Sequence, residues 1–114
     1  MLTIKPLSRE DAEKTTGAKP VENALCWAAD DAGQPAGYIT VVLGTRPAVS
    51  ALQSEDWLWD GLVKTAADFL RGCGYTELLG TPATAEKLLT LRYFRAYGDS
   101  CVSGLDEITG ECAK

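Results

Sequence analysis

The stretch over residues 54–73 carries apolar side chains at helical spacing, stops at Gly74, and runs at once into Tyr75-Thr76-Glu77-Leu78-Leu79. At about 100° per residue, Leu58, Trp59, Leu62, Ala66, Phe69, Leu70 and Cys73 fall on one arc. Asp60, Lys64, Asp68 and Arg71 fall opposite. Ser54 suits the N-cap of this helix, with Glu55 and Asp56 in its first turn. Trp57 lands near the polar face, where it either tucks under the preceding loop or belongs to a contact surface. A long helix that returns to a strand this quickly predicts a βαβ-like crossover onto a single sheet.

The remaining segments are arranged around that crossover. Residues 2–5 read as a short edge strand ending at Pro6. Ser8, followed by Glu10 and Asp11, approximates a capping box for a helix over 9–16, stopped by Gly17. Residues 24–29 and 37–43 are apolar, aromatic and β-branched, and the turn formers of 30–35 join them as an antiparallel hairpin. Residues 44–53, with Pro47 and many small side chains, read as a loop with a short helical turn. Thr81-Pro82 fits the N-cap and first position of a helix over 82–96, closed by Gly98. On that helix Leu88, Leu91, Tyr93 and Phe94 reach the core while Arg92 and Arg95 snorkel. Residues 100–105 form a last strand, and 109–114 a frayed tail.

Composition narrows the function classes. The 114 residues are expected to make one domain. The net charge of −5 repels phosphate backbones, so no nucleic-acid partner is expected. No apolar run approaches membrane-spanning length, so no membrane partner is expected either. Cys26, Cys73, Cys101 and Cys112 form no Cys-x-x-Cys pair, and the chain has no histidine, which argues against a zinc or other metal site. The missing histidine also excludes Ser-His-Asp and Cys-His catalysis. Met1-Leu2-Thr3-Ile4-Lys5 is not followed by an apolar signal segment, so free thiols in the cytoplasm are expected, with Cys112 the most exposed.

Three segments carry a resemblance. These are Ile4-Lys5-Pro6-Leu7-Ser8-Arg9-Glu10-Asp11-Ala12, the hairpin Ala28-Ala29-Asp30-Asp31-Ala32-Gly33-Gln34-Pro35-Ala36-Gly37-Tyr38-Ile39, and the helix from Gly61 to Arg71 with its Gly72-Cys73-Gly74-Tyr75 exit. In this order, over about residues 2–105, the chain resembles the GNAT superfamily of N-acetyltransferases. The resemblance implies an α+β fold in α/β/α layers, with a mixed, mostly antiparallel sheet flanked by helices on both faces. It also implies an acetyl-CoA site, in which Arg/Gln-x-x-Gly-x-Gly/Ala at the start of the main helix lets backbone N–H groups hold the pyrophosphate. That frame falls on Ser54-Glu55-Asp56-Trp57-Leu58-Trp59, which has no glycine, two tryptophans, and two carboxylates where an anion would sit. The family's Asn-x-x-Ala-x-x-Leu-Tyr pattern, whose tyrosine protonates the departing thiolate, falls on residues 82–89, with Pro82 in place of Asn and Leu89 in place of Tyr.

The catalytic residues are therefore unassigned, with two candidates. Tyr93, one turn beyond Leu89, is either a displaced acid or a packed aromatic. Glu77, on the strand after the main helix, is either a general base or a solvated strand residue. Asp30 and Asp31 read as turn residues. Arg92 and Arg95 are either a solvated face or an anion contact. The expected function is a degenerate GNAT-like domain without standard acetyltransferase activity, acting as a small-ligand or protein-binding module and needing no cofactor. The alternative is an active acetyl-CoA-dependent N-acetyltransferase with a non-standard loop. A homodimer or protein partner would use the Trp57/Trp59 region.

Overall fold

The computed structural model describes residues 2–110, so Cys112 and most of the expected tail lie outside the described residues. The first strand, β1 (Leu2–Pro6), leads into helix α1 (Arg9–Thr16). Ser8 caps α1 by accepting from the Asp11 N–H, and Gly17 closes it in the left-handed region at φ 78°. The Arg9 guanidinium then donates to the carbonyls of Pro20, Val21 and Glu22, which pins the connector against the helix. Strands β2 (Ala24–Asp31) and β3 (Gln34–Val42) form the expected hairpin. Its turn is tighter than the composition suggested: Asp30, Asp31, Gln34 and Pro35 continue the strands, and only Ala32 and Gly33 turn, both with positive φ.

Residues 48–54 are not a loop. They form β4 (Ala48–Ser54), antiparallel to β3. The register shifts between Thr40 and Val41, so that Thr40 faces Ala51 while Val41 faces Val49, and Ser50 is the extra residue of a β-bulge. A bulge breaks the period of two. The two side chains of β4 that enter the core, Val49 and Leu52, are therefore three positions apart, a spacing that imitates a helix.

A 3-10 turn (Asp56–Leu58) precedes α2 (Trp59–Gly72). Ser54 ends β4 and caps nothing; Leu58 stands at the N-cap, with no side-chain hydrogen bond. The buried face of α2 is Leu62, Val63, Ala66, Ala67 and Leu70. Phe69 and Cys73, expected inside, are exposed, though Phe69 still meets Trp27 edge-on at 5.6 Å. The chain then enters β5 (Glu77–Leu79), the expected parallel crossover beside β4.

The expected helix over 82–96 is mostly absent. Only α3 (Ala85–Leu88) is helical, and the chain continues into a hairpin of β6 (Arg95–Tyr97) and β7 (Ser100–Gly104), turning at Gly98. Helix α4 (Leu105–Thr109) follows, so the tail expected from residue 109 begins only after a further helix. Among the described residues the sheet has seven strands in the order β1-β2-β3-β4-β5-β7-β6, and only the β4/β5 pair is parallel. Trp27, Ala29, Ile39, Val41, Val49 and Leu52 join α2 in the core, while the alternating residues Cys26, Tyr38 and Thr40 look toward α1.

Gly37 lets β3 and β4 close on each other. Its φ is 151°, and a Cβ there would lie 2.5 Å from the Gln53 carbonyl oxygen. Gly37→Ala is expected to lower the unfolding free energy by about 1–3 kcal/mol in urea denaturation, the usual cost of overpacking. An unchanged midpoint would contradict the close approach.

Candidate functional site: the free edge of β4

β4 and β5 meet at a single register pair, Ala48 with Leu79, and the Leu79 N–H donates to the Pro47 carbonyl at 2.9 Å. β5 then stops, while β4 runs on to Ser54. The edge of β4 beyond Ala48 has no strand neighbour on that side among the described residues. The edge ends at Ser54, just before the helix start where the resemblance places a cofactor, and side chains from elsewhere in the chain bond to it.

Three carbonyls along β4 have side-chain donors. The Val49 carbonyl accepts from the hydroxyls of Thr81 at 3.1 Å and Thr84 at 3.0 Å. The Leu52 carbonyl accepts from the Lys87 ammonium at 2.6 Å. The Ser54 carbonyl accepts from the Trp59 indole N–H at 3.2 Å. Lys87 also lies 5.8 Å from the centroid of the Trp59 ring, within cation–π range. Thr84 is buried and Lys87 half-buried, so these are ordered contacts inside the fold. The Thr81 N–H donates to the Thr84 hydroxyl at 2.9 Å, which holds both threonines against β4.

The start of α2 is equally committed. The Leu58 N–H bonds to the Glu55 carbonyl at 3.0 Å, and the Trp59 N–H to the Asp56 carbonyl, so the 3-10 turn uses donors an anion would need. Glu55 and Asp56 are exposed at this end, and Asp60 pairs with Lys64 at 3.1 Å. A carboxylate about 4 Å from a phosphate costs about 1 kcal/mol even at the dielectric of water. The helix terminus returns only about 0.3–1 kcal/mol. The residues present do not fit a pyrophosphate. The two tryptophans divide: Trp59 lies in the cleft, whereas Trp57 is 58% exposed, its indole N–H on the Glu55 carboxylate at 3.2 Å.

Neither catalytic candidate reaches this cleft with free chemistry. The Tyr93 hydroxyl donates to the Asp60 carboxylate at 2.6 Å, and burial together with that bond pushes its pKa far above the ordinary tyrosine range. In this structure the Tyr93 side chain is half-buried and its hydroxyl is committed to Asp60. Glu77 accepts from Arg46, which also donates to the Tyr97 hydroxyl at 3.1 Å and lies over the Tyr97 ring. The carboxylate is engaged in tying β5 to the loop before β4 and to β6. Arg95 reaches Glu107, and Arg92 is exposed; no contact joins the two. Burial raises the pKa of the Cys26 and Cys101 thiols, which keeps them in the unreactive thiol form.

Lys87, Thr81 and Thr84 were not singled out for the cleft from sequence. A lysine in a helical segment reads as solvated, and Thr81 as a cap, until β4 is known to be a strand with an unpaired edge. A second concavity lies on the opposite face, between α1, the connector after it and strands β2–β4. It has a volume of about 290 Å³, with Leu7, Ala12, Leu25, Val42 and Ala51 among its lining. Among the described residues there is no cluster of His, Cys, Asp or Glu suited to a metal, and no helix is long and apolar enough to cross a membrane.

Solved structures of several N-acetyltransferases share this fold. The IAA acetyltransferase from Bacillus cereus superposes with a TM-score of 0.66 at 17% identity, covering 86% of this chain and 79% of that one. The ribosomal-protein-S18-alanine N-acetyltransferase from Escherichia coli gives 0.65 at 15% identity, covering 92% and 94%. The PaiA N-acetyltransferase from Thermoplasma acidophilum, in complex with coenzyme A, gives 0.63 at 12% identity, covering 91% and 98%. The fold is that of the GNAT N-acetyltransferases. No family model and no curated protein matches the sequence.

Two outcomes test the geometry. Lys87→Met, which leaves the Leu52 carbonyl without its donor, is expected to cost about 1–3 kcal/mol in urea denaturation, against less than about 0.5 kcal/mol for Lys64→Met on the solvent side of α2. The second concerns Tyr93. Its folded pKa is raised, so its contribution to stability is complete below about pH 10, the unfolded value, and is lost as the pH rises toward the folded one. Tyr93→Phe should therefore flatten the fall in stability above pH 10 and remove a late-ionising component from the absorbance titration at alkaline pH. A titration identical in both proteins would refute the buried hydrogen bond.

Proposed function

We propose that this chain is a degenerate GNAT-like domain without standard acetyltransferase activity, a binding module whose small ligand sits in the groove under α1 rather than in the β4/β5 cleft. The observation that supports this reading most is the row of β4 edge carbonyls already bonded to Thr81, Thr84, Lys87 and Trp59. A cofactor entering there would have to displace four side chains that satisfy backbone acceptors, each displacement costing on the order of 1 kcal/mol or more. It would do so against Glu55 and Asp56, in a segment, residues 54–59, that has no glycine. The groove under α1 requires no such exchange.

The T. acidophilum structure holds coenzyme A, so acetyl-CoA binding is the alternative that must be measured. Buried Cys26 and Cys101 with no disulfide suit the cytoplasm, where acetyl-CoA is available, so a negative result would not be one of compartment. With about 1 mM acetyl-CoA, a Kd of about 10 µM would stabilise the fold by about 2.7 kcal/mol. The expected outcome is no resolvable shift in melting temperature and no change in tryptophan fluorescence. A saturable shift of that size would overturn the proposal in favour of an N-acetyltransferase with a non-standard loop.

A further inference from the structure

The groove under α1 has a polarity opposite to that of the whole chain. Of the residues lining it, the charged ones are Arg9 and Lys19, and no Asp or Glu contributes, although the chain carries 16 acidic residues against 11 basic ones. Arg9 spends its hydrogen bonds on the neutral carbonyls of Pro20, Val21 and Glu22, so its charge has no carboxylate partner among the described residues. Lys19 is exposed on the connector that Arg9 holds in place. Beneath this cationic rim the lining is mainly aliphatic, with Leu25, Val42 and Ala51 at the sheet and Leu7, Ala12 and Val21 on the α1 side. The polar groups of the lining, from Thr16, Tyr38, Thr40 and Ser50, are neutral hydroxyls. At about 290 Å³ the space lies at the lower end of ligand pockets, which begin near about 300 Å³.

We propose that this groove holds a small apolar carboxylate, its hydrocarbon body against the β2–β4 surface and its carboxylate at the Arg9/Lys19 rim. The assignment rests on the binding-module reading above and adds the ligand's chemical class. The cationic rim disfavours an amine, the aliphatic lining disfavours a polyanion such as a nucleotide, and the volume suits a short hydrocarbon body. A carboxylate also gains more than a neutral alcohol of the same length does, because hydrogen bonds from the Lys19 ammonium and from the two N–H groups that Arg9 does not give to the connector are charge-assisted.

The test uses the full chain with octanoate, and with octan-1-ol and octylamine as matched probes, followed by calorimetry and by amide chemical shifts. Octanoate is expected to bind saturably, with shifts confined to the residues of α1, its connector and the α1 side of β2–β4. Octan-1-ol and octylamine are expected to bind at least about tenfold more weakly. Lys19→Glu, at an exposed position, should weaken octanoate at least about fivefold while leaving the melting temperature and the octan-1-ol affinity unchanged. Ala51→Leu, which fills the groove floor, should weaken both octanoate and octan-1-ol. Equal binding of octan-1-ol and octanoate would overturn the carboxylate assignment and leave the binding-module reading standing. Absence of octanoate binding, shifts at the β4/β5 cleft, or indifference to Lys19→Glu would overturn the assignment as well. Stabilisation by acetyl-CoA is the separate result that would remove the reading beneath it.

Discussion

A strand edge inside a folded chain presents carbonyls that must find donors, and β4 presents such an edge because β5 ends where β4 continues. Three kinds of partner can satisfy it: another strand, a ligand, or side chains from elsewhere in the chain. Here the donors are side chains from the segment that follows β5, together with Trp59 from α2. That choice shapes the surrounding structure. Gly80 has no side chain because a Cβ would lie 2.6 Å from the Cys101 sulfur and 2.8 Å from Leu88 Cδ1, and this tight turn delivers Thr81 and Thr84 to β4. α3 is one turn long because its opening residues are engaged with the sheet and its end turns back into the β6/β7 hairpin.

The same arrangement changes what the cleft can recognise. A pyrophosphate site needs free N–H groups, positive potential and backbone close enough to touch. The start of α2 instead offers a 3-10 turn in which the Leu58 and Trp59 N–H groups are used internally, exposed carboxylates at Glu55 and Asp56, and an indole bonded to the Ser54 carbonyl. The cation already present, Lys87, is half-buried against a carbonyl and an aromatic face, the environment an ammonium prefers and a phosphate does not. A shared backbone path fixes the fold and not the chemistry, which depends on the groups set along it.

Much of the fold was legible in the sequence wherever local and tertiary preferences agreed. α1 sits between its Ser8 cap and Gly17, and the β2/β3 hairpin lies where β-branched and aromatic residues alternate. The misreadings have specific causes. β4 was hidden because the Ser50 bulge moves Val49 and Leu52 to a spacing of three, and because its small residues carry little β-propensity. The segment after Pro82 looked helical because Leu88, Leu91 and Phe94 recur at helical spacing, yet hydroxyl bonds to β4 and the hairpin pairing of Arg95 with Val102 outweigh that local preference. The candidate site suffered in turn. The departure of residues 54–59 from the family's glycine pattern is a matter of sequence alone. The stitching by Lys87 and the threonines could not be seen without β4. The roles open for Tyr93 and Glu77 depended on partners, Asp60 and Arg46, that are distant in sequence.

One irregularity connects the closed cleft to the open groove. At a regular strand position, successive side chains would alternate between the two faces of the sheet. At the bulge, Ser50 and Ala51 both line the groove on the α1 side, while the core takes Val49 and Leu52 on either side of them. Two adjacent small side chains on one face leave room beneath α1, an eight-residue helix that buries only Ala12 completely. The bulge also bends β4, and β4 loses its strand neighbour at the residue just before it, Val49. The carbonyls that Thr81, Thr84 and Lys87 cover are left where β5 ends, and the space beneath α1 is left where the bulge sets two small side chains together, so the covered edge and the open groove adjoin along one strand.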